Sequence, residues 1–205
     1  MPAAAPDTLA LHADGLGMRF GRRLLFRGLS FTVRPGVPLA VVGPNGSGKS
    51  TLLKILAGVM APEAGAVRLV EGGREVPAGE RPRRVGFVAP YLQLYEPLTA
   101  CENLAFLARA RRLPLATVTA ALDAVGLGDR ADDAVSTFST GMRQRLRVAA
   151  ARLHDPPLLL LDEPSATLDE AGRALVRTLL DPSKLVVLAT NDPAEAAWCA
   201  ERLEL

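Results

Sequence analysis

The chain has 205 residues, 49% hydrophobic and 22% charged, a balance that excludes an unfolded chain and allows one compact domain with a sizeable core. Its formal net charge of +2 leaves no basic footprint for nucleic acid, and the short arginine clusters at 81–84 and 109–112 read as solvated faces. No apolar run approaches the ~20 residues that span a bilayer, and Met1–Asp7 lacks the basic and apolar stretches of a signal peptide, so a soluble cytosolic chain is expected.

From Leu9 to Val33 the residues alternate as strands broken at Gly15, Gly17, Gly21 and Gly28, which predicts an antiparallel edge layer. Pro38–Val42 is an apolar strand. It leads through Gly43, Pro44, Asn45, Gly46, Ser47, Gly48, Lys49, Ser50 and Thr51 into an amphipathic helix ending at Gly58. Strand, glycine-rich turn and helix are the context of a phosphate-binding loop: the turn converges backbone N–H groups on one oxyanion, and the helix N-terminus adds its dipole. Lys49 is expected to reach the β- and γ-phosphates and the Ser50 hydroxyl to hold Mg²⁺. Lysine occurs only three times in the sequence, against 24 Lys and Arg together, so its use here points to a compact charge rather than a planar fork.

Val67–Val76 reads as a hairpin turning at Gly72-Gly73, and Arg84–Ala89 as a short strand stopped by Pro90. Thr99 to Leu153 is helical in pattern, opened by capping-box spacing from Thr99 to Glu102, with a short helix over Val118–Val125 stopped at Gly126. Leu158–Leu161 and Leu185–Ala189 are fully apolar strands. Such strands between helices predict an α/β fold with a parallel core sheet covered on both faces. One domain over 1–205 is expected, with a core lobe at about 1–90 and 155–205 and a helical lobe inserted at about 91–154. Cys101 and Cys199 lie far apart without ligand spacing, and His12 and His154 are isolated, so no metal cluster is read from them.

Asp162 and Glu163 follow the strand at Leu158–Leu161. In that place Asp162 can approach Mg²⁺ beside the phosphate loop, and Glu163 can polarise an attacking water as general base. Upstream, Ser139 is a good N-cap and Gly141 leaves the backbone of the same helix start open to close approach.

In order and spacing, the phosphate loop, Ser139-Thr140-Gly141-Met142-Arg143-Gln144-Arg145, Asp162-Glu163-Pro164 and Ser165-Ala166-Thr167-Leu168-Asp169 resemble the ABC-type ATPase family over essentially the whole chain. The compact single-cassette length is similar to haem-exporter-type and multidrug-type subunits of bacteria. The resemblance implies ATP and Mg²⁺ as ligands. It implies that Phe20 stacks on adenine, although a lone phenylalanine also suits a core. It further implies that Ser139 and Gly141 close over the γ-phosphate held by an opposite subunit, and that Leu168 and Asp169 cross the dimer interface.

Two positions depart from the family pattern. Pro90 stands where a glutamine usually touches Mg²⁺ and the transport partner; it has neither side-chain amide nor backbone donor, and Gln93 is the candidate substitute. Asn191 stands where a histidine usually meets the γ-phosphate; its amide donates a hydrogen bond but carries no charge. With Lys49, Ser50, Asp162 and Glu163 intact, hydrolysis is expected to persist.

The leading expectation is the ATPase subunit of an ABC transporter, working as a homodimer or with a related cassette on a separate membrane permease, and held at the cytoplasmic face through it. Only 14 residues follow Asn191, which predicts no appended regulatory domain. The exposed segment from Tyr91 to Pro97 is read as the permease dock or, alternatively, a plain solvent-facing loop. Two other readings stand beside the leading one: a degenerate cassette that binds ATP structurally, and a soluble ABC ATPase of translation or DNA maintenance. The second lacks here the paired cassettes or long coiled coil those relatives carry.

Overall fold

Alternation, apolar runs and turn residues lay out the chain in the computed structural model, which describes residues 8–166 and 168–205. The signal-peptide reading of Met1–Asp7 and the Thr167 position fall outside the described residues. The elements begin with β1 (Leu9–Phe20), β2 (Arg23–Val33), β3 (Leu39–Val42), α1 (Lys49–Ala57), β4 (Ala64–Glu71), β5 (Arg74–Val76) and β6 (Val85–Val88). They continue with α2 (Ala100–Ala110), α3 (Ala116–Ala124), α4 (Thr140–Arg152), β7 (Leu158–Asp162), α5 (Glu170–Arg177), β8 (Leu185–Thr190), α6 (Pro193–Ala196) and β9 (Glu201–Glu204).

One antiparallel sheet runs β2-β1-β4-β5. The glycines expected to break its first two strands mostly do not. β1 and β2 run on through Gly15, Gly17 and Gly28, and the register shifts between Ala13 and Leu16 and again between Leu16 and Met18, as bulges bend a strand without ending it. Only Gly21 lies in a turn. Gly72 (φ 60°) and Gly73 (φ 73°) both take the left-handed backbone that a two-residue hairpin needs.

The second sheet is parallel throughout, ordered β6-β7-β8-β3-β9. Its apolar strands divide their side chains between two cores. Leu158, Leu160, Leu185 and Val187 pack with α1 and the antiparallel sheet. Leu159, Leu161, Val186 and Leu188 pack on the other face with α2, α3 and α4. β9 carries Glu201-Arg202-Leu203-Glu204, a polar edge strand that apolar patterning gives no means of finding.

The helix starts are capped as their sequences require. Thr99 Oγ1 accepts from the Glu102 N–H at 3.1 Å while Glu102 Oε2 accepts from the Thr99 N–H at 2.8 Å, a complete capping box for α2. Among the described residues no helix is long and apolar enough to cross a membrane.

Candidate nucleotide site

β3 ends at Val42 and hands the chain to Gly43, whose φ of 151° and packing both demand glycine: a Cβ there would lie 2.5 Å from the Leu205 carbonyl oxygen. The turn closes through the Ser47 N–H donating to Pro44 O at 3.2 Å. Gly48 (φ 113°) then sets the first turn of α1, whose first N–H groups have no side-chain cap. The hollow above them is lined by Asn45, Gly46, Gly48, Lys49, Ser50, Thr51, Asp162 and Glu163.

Lys49 is buried there. Its Nζ donates to Gly43 O at 2.7 Å and to Pro44 O at 3.3 Å, and stands 3.9 Å from Glu163 Oε1. Asp162, at the end of β7, is only 2% exposed, and burial pushes its carboxyl above the ordinary range, against the pull of the Ser50 and Tyr91 hydroxyls and the Lys49 and Lys54 ammoniums. Two buried oxygens in this corner, Ser47 Oγ and Asp162 Oδ2, have no hydrogen-bond partner.

Glu163 takes a left-handed backbone (φ 46°), unusual for a residue with a side chain and characteristic of functional strain. Its N–H donates to Ala189 O at 2.9 Å, which pins this turn to β8, and the Thr190 hydroxyl donates to Oε2 at 3.4 Å. Burial raises its carboxyl first; Lys49 opposes this, and Glu195 and Asp162 add to it. Behind it, Ser165 Oγ donates to Glu195 Oε1 at 2.6 Å, and both side chains are buried. Glu195 is invisible to motif reading because it meets the loop from α6, 30 residues downstream.

The predicted site residues divide by position. Lys49, Ser50, Asp162 and Glu163 meet in the hollow. Asn191 reaches its rim, where Nδ2 donates to Asn45 Oδ1 at 3.2 Å. Phe20 ends β1 with 52% of its surface exposed, paired in register with Arg23, whose Nη2 donates to Gly46 O at 2.7 Å; it therefore stands beside the loop rather than in a core.

The remaining predicted residues lie elsewhere in the chain. Ser139 is exposed, and its Oγ accepts from the Met142 N–H at 3.2 Å at the start of α4, beside Gly141. Asp169 caps α5 by accepting from the Gly172 N–H at 2.8 Å. None of the three lines the hollow of its own chain. Gln93 is not brought there either: with Leu92, Leu94 and Phe87 it lines a separate apolar groove, because the chain after Pro90 turns toward α4, where Arg147 Nε donates to Leu92 O at 2.8 Å.

The side chain of this segment that comes near Asp162 is Tyr91, which stays 43% exposed and outside the lining of the hollow. Its phenol faces Asp162, and burial, then the Asp162 charge, push it well above the ordinary tyrosine range, so it remains a neutral donor. The signal available in sequence was its place directly after the proline that ends β6.

The residues present fit a magnesium–nucleotide ligand. Among the described residues no three metal-binding side chains cluster. Magnesium bound with a nucleotide asks for less, one or two protein oxygens with phosphates and waters completing the octahedron. Ser50 and the unpartnered Asp162 oxygen supply such a pair at the mouth of an anion-binding loop.

A family model described as ABC transporter matches residues 26–166. The chain belongs to the ABC transporter family. Among curated proteins it is 37% identical over 207 residues to Nod factor export ATP-binding protein I of Ralstonia nicotianae, covering 96% of this chain and 64% of that protein. It is 36% identical to the protein of the same name from Paraburkholderia xenovorans, over 95% of this chain and 66% of the relative. The chain thus spans somewhat less than two thirds of these relatives. Its backbone superposes on a solved ATP-binding subunit of an ABC transporter with a TM-score of 0.83 at 28% identity, over 95% of this chain and 85% of that one. A dimeric bacterial ABC transporter cassette, 23% identical with a TM-score of 0.80 over 95% and 94% of the two chains, shares the fold.

Proposed function

We propose that this ABC family chain is an ATP-binding and ATP-hydrolysing transporter subunit that dimerises around ATP and drives a separate membrane permease. The observation that carries the reading is the convergence of Lys49, Asp162 and Glu163 on one hollow at the glycine-rich loop. In this reading the Lys49 ammonium leaves the Gly43 and Pro44 carbonyls for the β- and γ-phosphates, which the free N–H groups of the loop also bind. Ser50 and Asp162 would hold magnesium, which would supply neutralisation of the phosphate charge. Glu163, oriented by Thr190, accepts the proton of the attacking water, and its raised affinity for protons brings it nearer the working range of a general base. Asn191 donates to the γ-phosphate from the rim.

The exposed Ser139 with Gly141, and Asp169, lie away from their own hollow, which supports their acting on nucleotide held by a second cassette, either an identical copy or a related chain. Phe20, beside the loop, is the proposed adenine contact. The permease is proposed to dock in the apolar groove flanked by Phe87, Leu92 and Leu107, which holds the chain at the cytoplasmic face; nucleic acid is not an expected partner. The helical lobe at about 91–154 is proposed as the part that carries both the groove and the Ser139 surface.

The test is Glu163→Gln, which keeps shape and removes the base. ATP binding should survive, turnover should fall by about a hundredfold or more, and ATP-locked dimers should accumulate in size-exclusion chromatography. Unchanged turnover would remove Glu163 from the mechanism. Zero turnover of the wild-type dimer with tight ATP binding, alone and in the presence of a permease, would make the chain a structural ATP-binding cassette.

A further inference from the structure

Strands β6 and β7 are parallel neighbours, with Val88 beside Leu161, so the segments leaving them emerge side by side. One yields Asp162; the other turns at Pro90 and presents Tyr91. Two contacts fix the Tyr91 ring. Phe87, on β6, meets it edge-on at 6.2 Å with the planes at 71°, and Lys54 Nζ, on α1, sits 4.5 Å above its face. Held from both elements, the ring and Lys54 lie beside the Asp162 carboxylate, whose buried Oδ2 keeps no partner. The next residue is anchored in turn, its carbonyl accepting from Arg147 Nε.

We propose that Tyr91 is a positioning residue for the magnesium–nucleotide site, its hydroxyl orienting the Asp162 carboxylate so that the unpartnered oxygen meets the metal. The proposal rests on the nucleotide reading above. A donor behind a ligating carboxylate fixes its rotamer and is worth about ten- to a hundredfold in metal affinity. Gln93, facing the apolar groove, has no part in it.

Tyr91→Phe keeps both ring contacts and removes only the hydroxyl. The readout is equilibrium binding of a fluorescent trinitrophenyl ATP analogue to the full chain, in EDTA and across a Mg²⁺ titration. Tyr91→Phe should need about tenfold more Mg²⁺ for half of the metal-dependent gain in affinity, with binding in EDTA unchanged. Tyr91→Ala, which also frees Lys54, should need at least as much, and Tyr95→Phe in the same segment should match wild type. A wild-type Mg²⁺ curve for Tyr91→Phe overturns the proposal, as does an equal loss with and without metal. Absence of nucleotide binding by the wild-type chain would instead sink the site reading itself, and the role of Tyr91 with it.

Discussion

Asp162 shows how a residue proposed to serve the ligand can weaken the protein in its absence. Its folded-state affinity for protons exceeds the ordinary value, so its contribution to stability is present in full below pH about 3.8 and is lost as pH rises through the elevated folded value. At neutral pH the nucleotide-free protein bears that loss as a buried charge with an unpartnered oxygen. Asp162→Asn should therefore raise the melting temperature of the empty protein at pH 7, by roughly 2–4 °C for each ~1 kcal/mol relieved, while weakening Mg-ATP binding. The gain should shrink toward acid pH. A lower melting temperature for the variant would contradict this account. The meeting of Lys49, Ser50, Asp162 and Glu163 in one hollow was legible in the sequence because each pair lies in a short contiguous run that follows an apolar strand. Tyr91 and Glu195 were not, since each meets its partner only after β6 lies beside β7 and α6 folds under the loop.

At the level of elements, the Ser165–Glu195 hydrogen bond fastens the turn after β7 to α6, which follows Asn191 at the end of β8. The turn bearing Glu163 and the segment bearing Asn191 are thereby tied together. Ser165→Ala leaves a buried carboxylate short of a donor, with an expected cost of about 1–3 kcal/mol in urea unfolding and a slower turnover. Adding Glu195→Met, which replaces the pair by apolar groups, should recover most of the stability without restoring the rate. A double variant as unstable as the sum of the two singles would show that the two side chains are not coupled. Strands were legible where burial on both faces made them uniformly apolar, as in β7 and β8. They were misread where glycine bends rather than ends a strand, as in β1, and unread where an edge strand stays polar, as in β9.

For the whole molecule, the separation of Ser139 from its own phosphate loop makes assembly a requirement of the proposed chemistry. Ser139→Glu places an acidic group at a helix N-terminus, which the monomer tolerates, but it sets a carboxylate against the γ-phosphate of a facing cassette. Each chain should still bind ATP, while ATP-dependent dimerisation followed by light scattering should weaken by about tenfold or more. Wild-type dimerisation would remove Ser139 from the contact. The central sheet carries a separate implication. Each leucine of β7 belongs to one interior only, Leu158 and Leu160 to that of α1, Leu159 and Leu161 to that of α2, α3 and α4. The helices on the far side can therefore be refashioned by exchanging alternate residues, with the wall behind the candidate nucleotide site left as it was, and a designer could graft one interior without retooling the other.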